Sequence, residues 1–265
     1  MTTVRQVASR HNDLFKDLRR LLSDPAAYRR QGQVWLEGDH LCRALLARGR
    51  RPRRAVVTES GWATPALNDL AREAPEVVCI PDALMRELSG LESPAPIGFL
   101  IPADEGGALE PGRRTVVLDR LQDPGNVGSI LRSASAMGFG QVLALKGTVA
   151  LWSPKVLRAG MGAHFGLALA EGGALADLAA LGVPVVGTHL SEARWLHETR
   201  LPDPLAWVFG HEGQGMAEEV AAACSLRVRI AQPGGEESLN VAAAAAVCLY
   251  ESARPRAASP TRGQD

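Results

Sequence analysis

The chain has 265 residues, 46% of them hydrophobic, and 29 acidic side chains balance 29 basic ones, the composition of an ordinary globular protein with a real core. No stretch of about 20 residues escapes charge or turn residues, and the opening MTTVRQVASRHNDLFKDLRR has no apolar core. A membrane span and a secretory leader are therefore not expected, and the reading is a soluble, cytoplasmic protein with no membrane partner. Cys42, Cys79, Cys224 and Cys248 lie far apart with no C-x-x-C pair, which speaks for buried free thiols and against a disulfide framework or a zinc site. No metal is expected.

The neutral total hides an asymmetry. Through Arg54 there are 13 Lys and Arg against 5 Asp and Glu, and the remainder carries 16 against 24. A basic end on a neutral protein suits a polyanionic partner. It equally suits a solvated arginine-rich face, because arginine (26 against 3 lysines) is the habitual cation here.

In chain order, residues 12–22 place Leu14, Phe15, Leu18, Leu21 and Leu22 on one helical stripe. The short strand QVWLEG ends at Gly38, and a helix around HLCRALLARG is closed by Gly49. AVVT (55–58), a helix near 65–73, VVCI (77–80), a helix near 82–89 and IGFLI (97–101) follow, an alternation that predicts a small α/β domain over 1–104. PADEGGALEPGRR, rich in Pro, Gly and charge, reads as a connection, with a linker at 105–113. Alternation resumes over 114–252: TVVLD, a helix from about 126, QVLAL, a helix near 153–160, VPVVGTHL, AWVFG, a helix near 216–223, LRVRI, and a last helix from about Asn240. Apolar strands in such a pattern predict a parallel sheet covered on both faces. The tail, 253–265, has nothing to bury and is expected to be disordered.

Three segments put glycine, asparagine and charge at the C-terminal ends of predicted strands, where open α/β sheets bind ligands. In LDRLQDPGNVGSILRSASAMGF (118–139) a Pro-Gly turn leads into a helix that carries Arg132 among Ile130, Leu131, Ala134 and Ala136. A salt-bridged surface arginine would explain Arg132 as well. In WVFGHEGQGM (207–216) a strand runs into Gly210, and Gly213 and Gly215 free a backbone whose N–H groups could hold a ligand; tight packing is the equal alternative. H-E-G-Q-G lacks the second histidine of a zinc-protease pair and the Gly-Lys-Ser/Thr of a phosphate loop. In RIAQPGGEESLNVAAAAAVCLYE (229–251), Ser238 or Asn240 could cap a helix so alanine-rich that something must pack closely on it, across a dimer interface or within the chain.

In order and wording the three segments resemble the signature motifs of the SpoU (TrmH-type) RNA ribose methyltransferases of the SPOUT superfamily, over roughly residues 114–251. SRHNDLFKDLRRLL with QVWLEGDHLCRALL looks like the RNA-binding domain that precedes the catalytic domain in ribosomal-RNA members. The resemblance implies a C-terminal α/β domain with a trefoil knot, which periodicity could not have given because ordinary chains avoid knots. It implies a homodimer, S-adenosylmethionine as cofactor, and methyl transfer to a ribose 2′-hydroxyl, of ribosomal RNA in the first instance. Carried over residue by residue, the cofactor contacts are Gly210, Ile230 and Leu239, with Thr188, Ser238 and Asn240 beside them; the catalytic positions are Asn126, Arg132 and Glu212. On that reading Arg132 anchors RNA phosphate and the developing oxyanion, since a guanidinium is a poor base, although a base role stays open. Asn126 orients Arg132 or the ribose, and Glu212 fixes the loop. Arg19, Arg20, Arg29, Arg30, Arg50, Arg51, Arg53 and Arg54 are the implied phosphate contacts.

The chain departs from the family's usual wording in several places. Ala231 follows Ile230 where proline is usual, proline appears at 233, Ala242 replaces a serine, and Gly160 stands for a serine in RAGMGAHF. Rival readings are an inactive RNA-binding or ribosome-assembly protein, the same chemistry on transfer RNA, and a nucleotide-dependent oxidoreductase. The last lacks a G-x-G-x-x-G after the first strand of either half.

Overall fold

The computed structural model describes residues 2–103, 107–190, 193–235 and 237–254. Its first part comprises β1 (Thr3–Gln6), α1 (Asp13–Ser23), α2 (Ala27–Gln31), β2 (Gln33–Glu37), α3 (Asp39–Ala47), β3 (Arg54–Thr58), α4 (Glu59–Ala63), α5 (Pro65–Ala71), β4 (Glu76–Ile80), α6 (Asp82–Leu88) and β5 (Ile97–Pro102). These strands form one sheet in the order β1-β4-β3-β5-β2, with β1, β4 and β3 parallel and β5 antiparallel to both of its neighbours. α1 forms as its stripe demands: Asn12 caps it by accepting from the Leu14 N–H, and Leu14, Phe15, Leu18 and Leu21 are buried. β1, α2 and α4 have no counterpart in the sequence reading. β1 is exposed along its whole length and exists through pairing with β4, a tertiary effect that alternation cannot signal.

The second part comprises β6 (Thr115–Leu118), α7 (Pro124–Ala136), β7 (Gln141–Leu145), α8 (Pro154–Gly160), β8 (Ala168–Gly173), α9 (Ala176–Ala180), β9 (Val185–Thr188), β10 (Arg194–Trp195), β11 (Ala206–Phe209), α10 (Glu218–Ala223), β12 (Leu226–Arg229) and α11 (Val241–Ala253). Its strands pair in parallel throughout, in the order β10-β12-β9-β11-β6-β7-β8. β6, β7 and β11 are buried along their whole length, which is why they read as apolar runs. β8, α9 and the two-residue β10 were not anticipated.

The stretch foreseen as a linker is docked where it is described. Leu109 packs on the core beneath β6 and β11, and the Gly112 N–H donates to the Leu181 carbonyl. α11 extends to Ala253, and the rest of the expected tail, 255–265, lies outside the described residues.

Close packing of α7 on α8 positions the second part's functional edge. A Cβ at Gly128 would meet Ala159 and the Gly160 backbone, so only glycine lets the two helices approach this far. α11 in turn lies against α7.

Candidate active site

β12, β9, β11 and β6 are neighbours, so the loops that leave their C-terminal ends share one edge of the sheet. Directly after β6, Asp119 is 2% exposed and accepts from the Ala217 N–H at 2.7 Å, which ties the first loop to the glycine-rich one. Asp123 then caps α7 by accepting from the Asn126 N–H at 2.7 Å, with Pro124 at the first helical turn.

Glu212 is the hub of this edge. Its carboxylate accepts from the Gln122 N–H at 3.2 Å, the Asp123 N–H at 3.1 Å and Asn126 Nδ2 at 3.2 Å. Burial pushes its carboxyl up, but these hydrogen bonds outweigh burial and hold it below the usual carboxylate value. Asn126 uses its other end to accept from Asn240 Nδ2 at 3.0 Å. Asn240 Oδ1 in turn caps α11, accepting from Ala242 N at 2.9 Å and Ala243 N at 3.3 Å. One chain of hydrogen bonds, Glu212–Asn126–Asn240, thus joins all three motif loops, and each amide donates at one end and accepts at the other.

Arg132 is not part of that chain. It is exposed on α7, six residues beyond Asn126 and so about 9 Å further along the axis. Among the described residues its side chain makes no hydrogen bond or ion pair, unlike the salt-bridged surface arginine that the sequence left open. It shares an exposed stripe with Gly125, Ser129 and Ala136.

Of the expected cofactor contacts, Thr188 ends β9, Gly210 follows β11 and Ile230 follows β12, which brings them to one edge. A Cβ on Gly210 would collide with the backbone of Gly215 and Met216, so this glycine is demanded by the loop's own packing. The His211 ring nitrogen Nδ1 shapes the same loop by accepting from Gly213 N at 3.1 Å and Gln214 N at 3.3 Å. Ser238 and Leu239 are exposed on the third loop.

This edge carries exposed apolar side chains and one buried polar atom that lacks a partner among the described residues. Leu190 and Leu239 are 64% and 41% exposed beside half-buried Ile230, and the buried Gln232 Oε1 has no hydrogen-bond partner. Among the described residues no group of three or more His, Cys, Asp or Glu could hold a metal ion.

Two ordering residues escaped the sequence reading. Arg120 has φ +58° and reaches Asp119 at 3.1 Å, Gln214 Oε1 at 3.2 Å and the Gly215 carbonyl at 3.3 Å. Asp119 is the other. A charged pair directly after an apolar strand was the available signal.

The eight expected phosphate contacts are mostly engaged within the chain. Arg19 pairs with Glu87, Arg20 with Asp17, Arg30 with Asp24, Arg51 with Glu73 and Arg54 with Glu76. Arg29 pairs with Glu171 of the second part, and Arg50 lies over the Phe165 ring. Arg53 is exposed, with no side-chain partner among the described residues.

A family model described as the SpoU rRNA methylase family matches residues 113–250. An uncharacterized tRNA/rRNA methyltransferase of Synechocystis is 32% identical, and the match covers 98% of this chain and 97% of that protein. The 23S rRNA (guanosine-2′-O-)-methyltransferase RlmB of Bordetella pertussis is 37% identical over 57% of this chain and 62% of its own length. Among solved structures, the AdoMet-bound rRNA methyltransferase of Sinorhizobium meliloti superposes with a TM-score of 0.82 at 26% identity, covering 94% of this chain and 97% of that one.

Proposed function

The chain belongs to the SpoU rRNA methylase family, and from that premise we propose that it transfers a methyl group from S-adenosylmethionine to a ribose 2′-hydroxyl of ribosomal RNA. The observation that carries this reading is the hydrogen-bonded chain Glu212–Asn126–Asn240, which joins three loops at one sheet edge, on the same helix as an arginine with no side-chain partner among the described residues. When bound, S-adenosylmethionine supplies a methyl group already activated by its sulfonium.

The chain's own residues have to bind, orient and neutralise. Thr188, Gly210, Ile230, Ser238 and Leu239 hold the cofactor on the β9, β11 and β12 loops. Glu212 fixes the first loop through two backbone N–H groups and holds Asn126 in one orientation. Asn126 is then set to orient the ribose, and Asn240 sets it from the other side. A guanidinium keeps its proton at working pH and is a poor base, so Arg132 acts as an anchor for phosphate and for charge developing on the 2′-oxygen as its proton leaves.

The finer features of the family reading belong here too. A homodimer is supported by small and apolar exposed residues on α11, Ala243, Val247 and Tyr250, on a helix that packs on α7. A knotted C-terminus is supported by the return of α11 onto α7 and by the Asn240–Asn126 bond. Residence in the reducing cytoplasm agrees with four free cysteines, of which Cys42, Cys79 and Cys248 are buried. The RNA-facing surface is the arginine-rich first part.

Total RNA from a strain deleted for the gene, incubated with the protein and labelled S-adenosylmethionine, should acquire label on a 2′-O-methylated nucleoside of ribosomal RNA, and Arg132→Ala should abolish it. Label on a base, or on transfer RNA alone, overturns the assignment. A folded protein that labels neither naked RNA nor immature ribosomal subunits sinks the enzymatic reading altogether.

A further inference from the structure

Arg29 stands among the residues that the sequence assigns to RNA phosphate, yet it points its charge at the other half of its own chain. Glu171, on β8, has a side chain only 17% exposed. Its carboxylate accepts from Arg29 Nη2 at 3.1 Å, from the Tyr28 hydroxyl, and from the Leu151 N–H at 2.7 Å. Arg29 is braced for this contact: its Nε donates to the Tyr28 hydroxyl at 3.1 Å, and its guanidinium lies 5.4 Å from the Tyr28 ring centre. Tyr28 itself is 5% exposed, in a hydrophobic core that runs through both parts. One carboxylate of the second part therefore takes two bonds from α2 and also pins the turn that leads into α8.

Other contacts cross the same seam: one hydrophobic core runs through both parts, and Arg50 lies over the Phe165 ring. Arg158 on α8 approaches Glu37 on β2 at 4.0 Å, and a Cβ on Gly162 would meet Ala44 on α3. Glu171 is thus a point where charge-assisted hydrogen bonds join the two parts. α8 packs on α7 through Gly128, and α7 carries Asn126 and Arg132. The angle set at Glu171 is passed to the reacting end through one rigid pair of helices.

We propose that Glu171 is a positioning residue for RNA methylation, latching the first part through Tyr28 and Arg29 so that RNA seated there presents its ribose to Asn126 and Arg132, and that Arg29 serves this latch instead of binding phosphate. The proposal rests on the RNA methyltransferase reading above. RNA that spans both parts turns a small angular error into a displacement at the ribose, and about 1 Å of misplacement can cost roughly a hundredfold in rate.

The two roles of Arg29 predict opposite results. If Arg29 binds phosphate and Glu171 merely competes for it, removing Glu171 tightens RNA binding. If Glu171 is a latch, removing it slows turnover. The test compares wild type with Glu171→Ala, Arg29→Ala, the double variant and Tyr28→Phe, which keeps the packing and removes only the hydroxyl. Turnover at saturating RNA, S-adenosylmethionine affinity, the salt dependence of RNA affinity and small-angle scattering are measured on each.

The latch predicts that each single alanine variant lowers turnover about tenfold and that the double is no worse than the poorer single. S-adenosylmethionine affinity stays within about twofold, Tyr28→Phe shows a smaller loss of the same kind, and the Glu171→Ala radius of gyration rises. The salt slope of Arg29→Ala matches wild type. A slope shallower by about one for Arg29→Ala, or tighter RNA binding by Glu171→Ala, overturns the latch. Should an alanine variant fail to fold, Tyr28→Phe and Glu171→Gln carry the same comparison. A wild type that neither binds nor methylates RNA refutes the function proposed above, and scattering still decides whether Glu171 holds the two parts together.

Discussion

Glu212 receives three N–H donors, and an uncharged amide in its place would keep the shape while losing the charge that makes those bonds strong. Hydrogen bonds to a charged group contribute roughly 1.5–3 kcal/mol each. Glu212→Gln should therefore lower methyl transfer by about ten- to a hundredfold. The melting temperature should fall as well, so the two activities are compared at a temperature where both proteins are folded. Wild-type activity in that variant would show that the loop is held by other means. His164 carries a different prediction. It is fully buried against Trp152, and one ring nitrogen bonds the Leu151 carbonyl at 2.9 Å while Nδ1 has no partner. Burial pushes it down to about 4 from an ordinary 6.5, against the opposing pull of the Leu151 hydrogen bond. The fold thus favours the neutral ring. That stability is fully present above about pH 6.5 and is lost as pH falls towards 4, by at most ~3 kcal/mol. Melting temperature measured from pH 7 to 4 should fall in the wild type, and the fall should flatten in His164→Gln; equal slopes in both would remove His164 as the cause.

At the scale of elements, the α7–α8 contact decides where Asn126 sits. Gly128 packs against Ala159 and Gly160, and α11 packs on α7. A larger residue at 128 has no space to enter and must push the helices apart, at a cost of about 1–3 kcal/mol or more. Gly128→Val should lower stability by that amount in denaturant titrations. It should also reduce methylation in the molecules that still fold, by moving Asn126 away from Glu212 and Asn240. Full stability with full activity would mean that α8 yields without disturbing the loops. Gly128 itself drew no notice in the sequence: glycine inside a helix reads as a weakness, and its use here is visible only from the neighbour it admits.

At the scale of the whole molecule, α11 presents Val247 at 43% and Tyr250 at 57% exposure, and it packs on α7, the helix that carries Arg132. Buried against a second copy, this face would bring Arg132 beside a neighbouring subunit. Light scattering on Val247→Glu with Tyr250→Glu should then report half the wild-type mass, with methylation lost in parallel. A wild type already monomeric at working concentration, or a variant still dimeric, would place the interface elsewhere. Asymmetric charge acts at this scale too. The excess arginines of the first 54 residues are largely paired with carboxylates in the fold, so the polyanion surface is narrower than the count suggests.

Sequence alone pointed to the parallel sheet of the second part, because fully buried strands such as TVVL and QVLAL leave short apolar runs that alternate with helices. It also singled out the three loops and the residues Asn126, Glu212 and Asn240, which the fold brings into one hydrogen-bonded chain, since motif wording is local. It did not determine β1, which has no apolar pattern, or β8 and β10, whose strand character comes from their neighbours. Nor did it give the bond from Asn126 to Asn240, 114 residues apart, or the pairing of Arg29 with Glu171, 142 apart. Periodicity records what each residue faces on its own element, whereas which distant partner it meets is decided by how the sheets and helices pack.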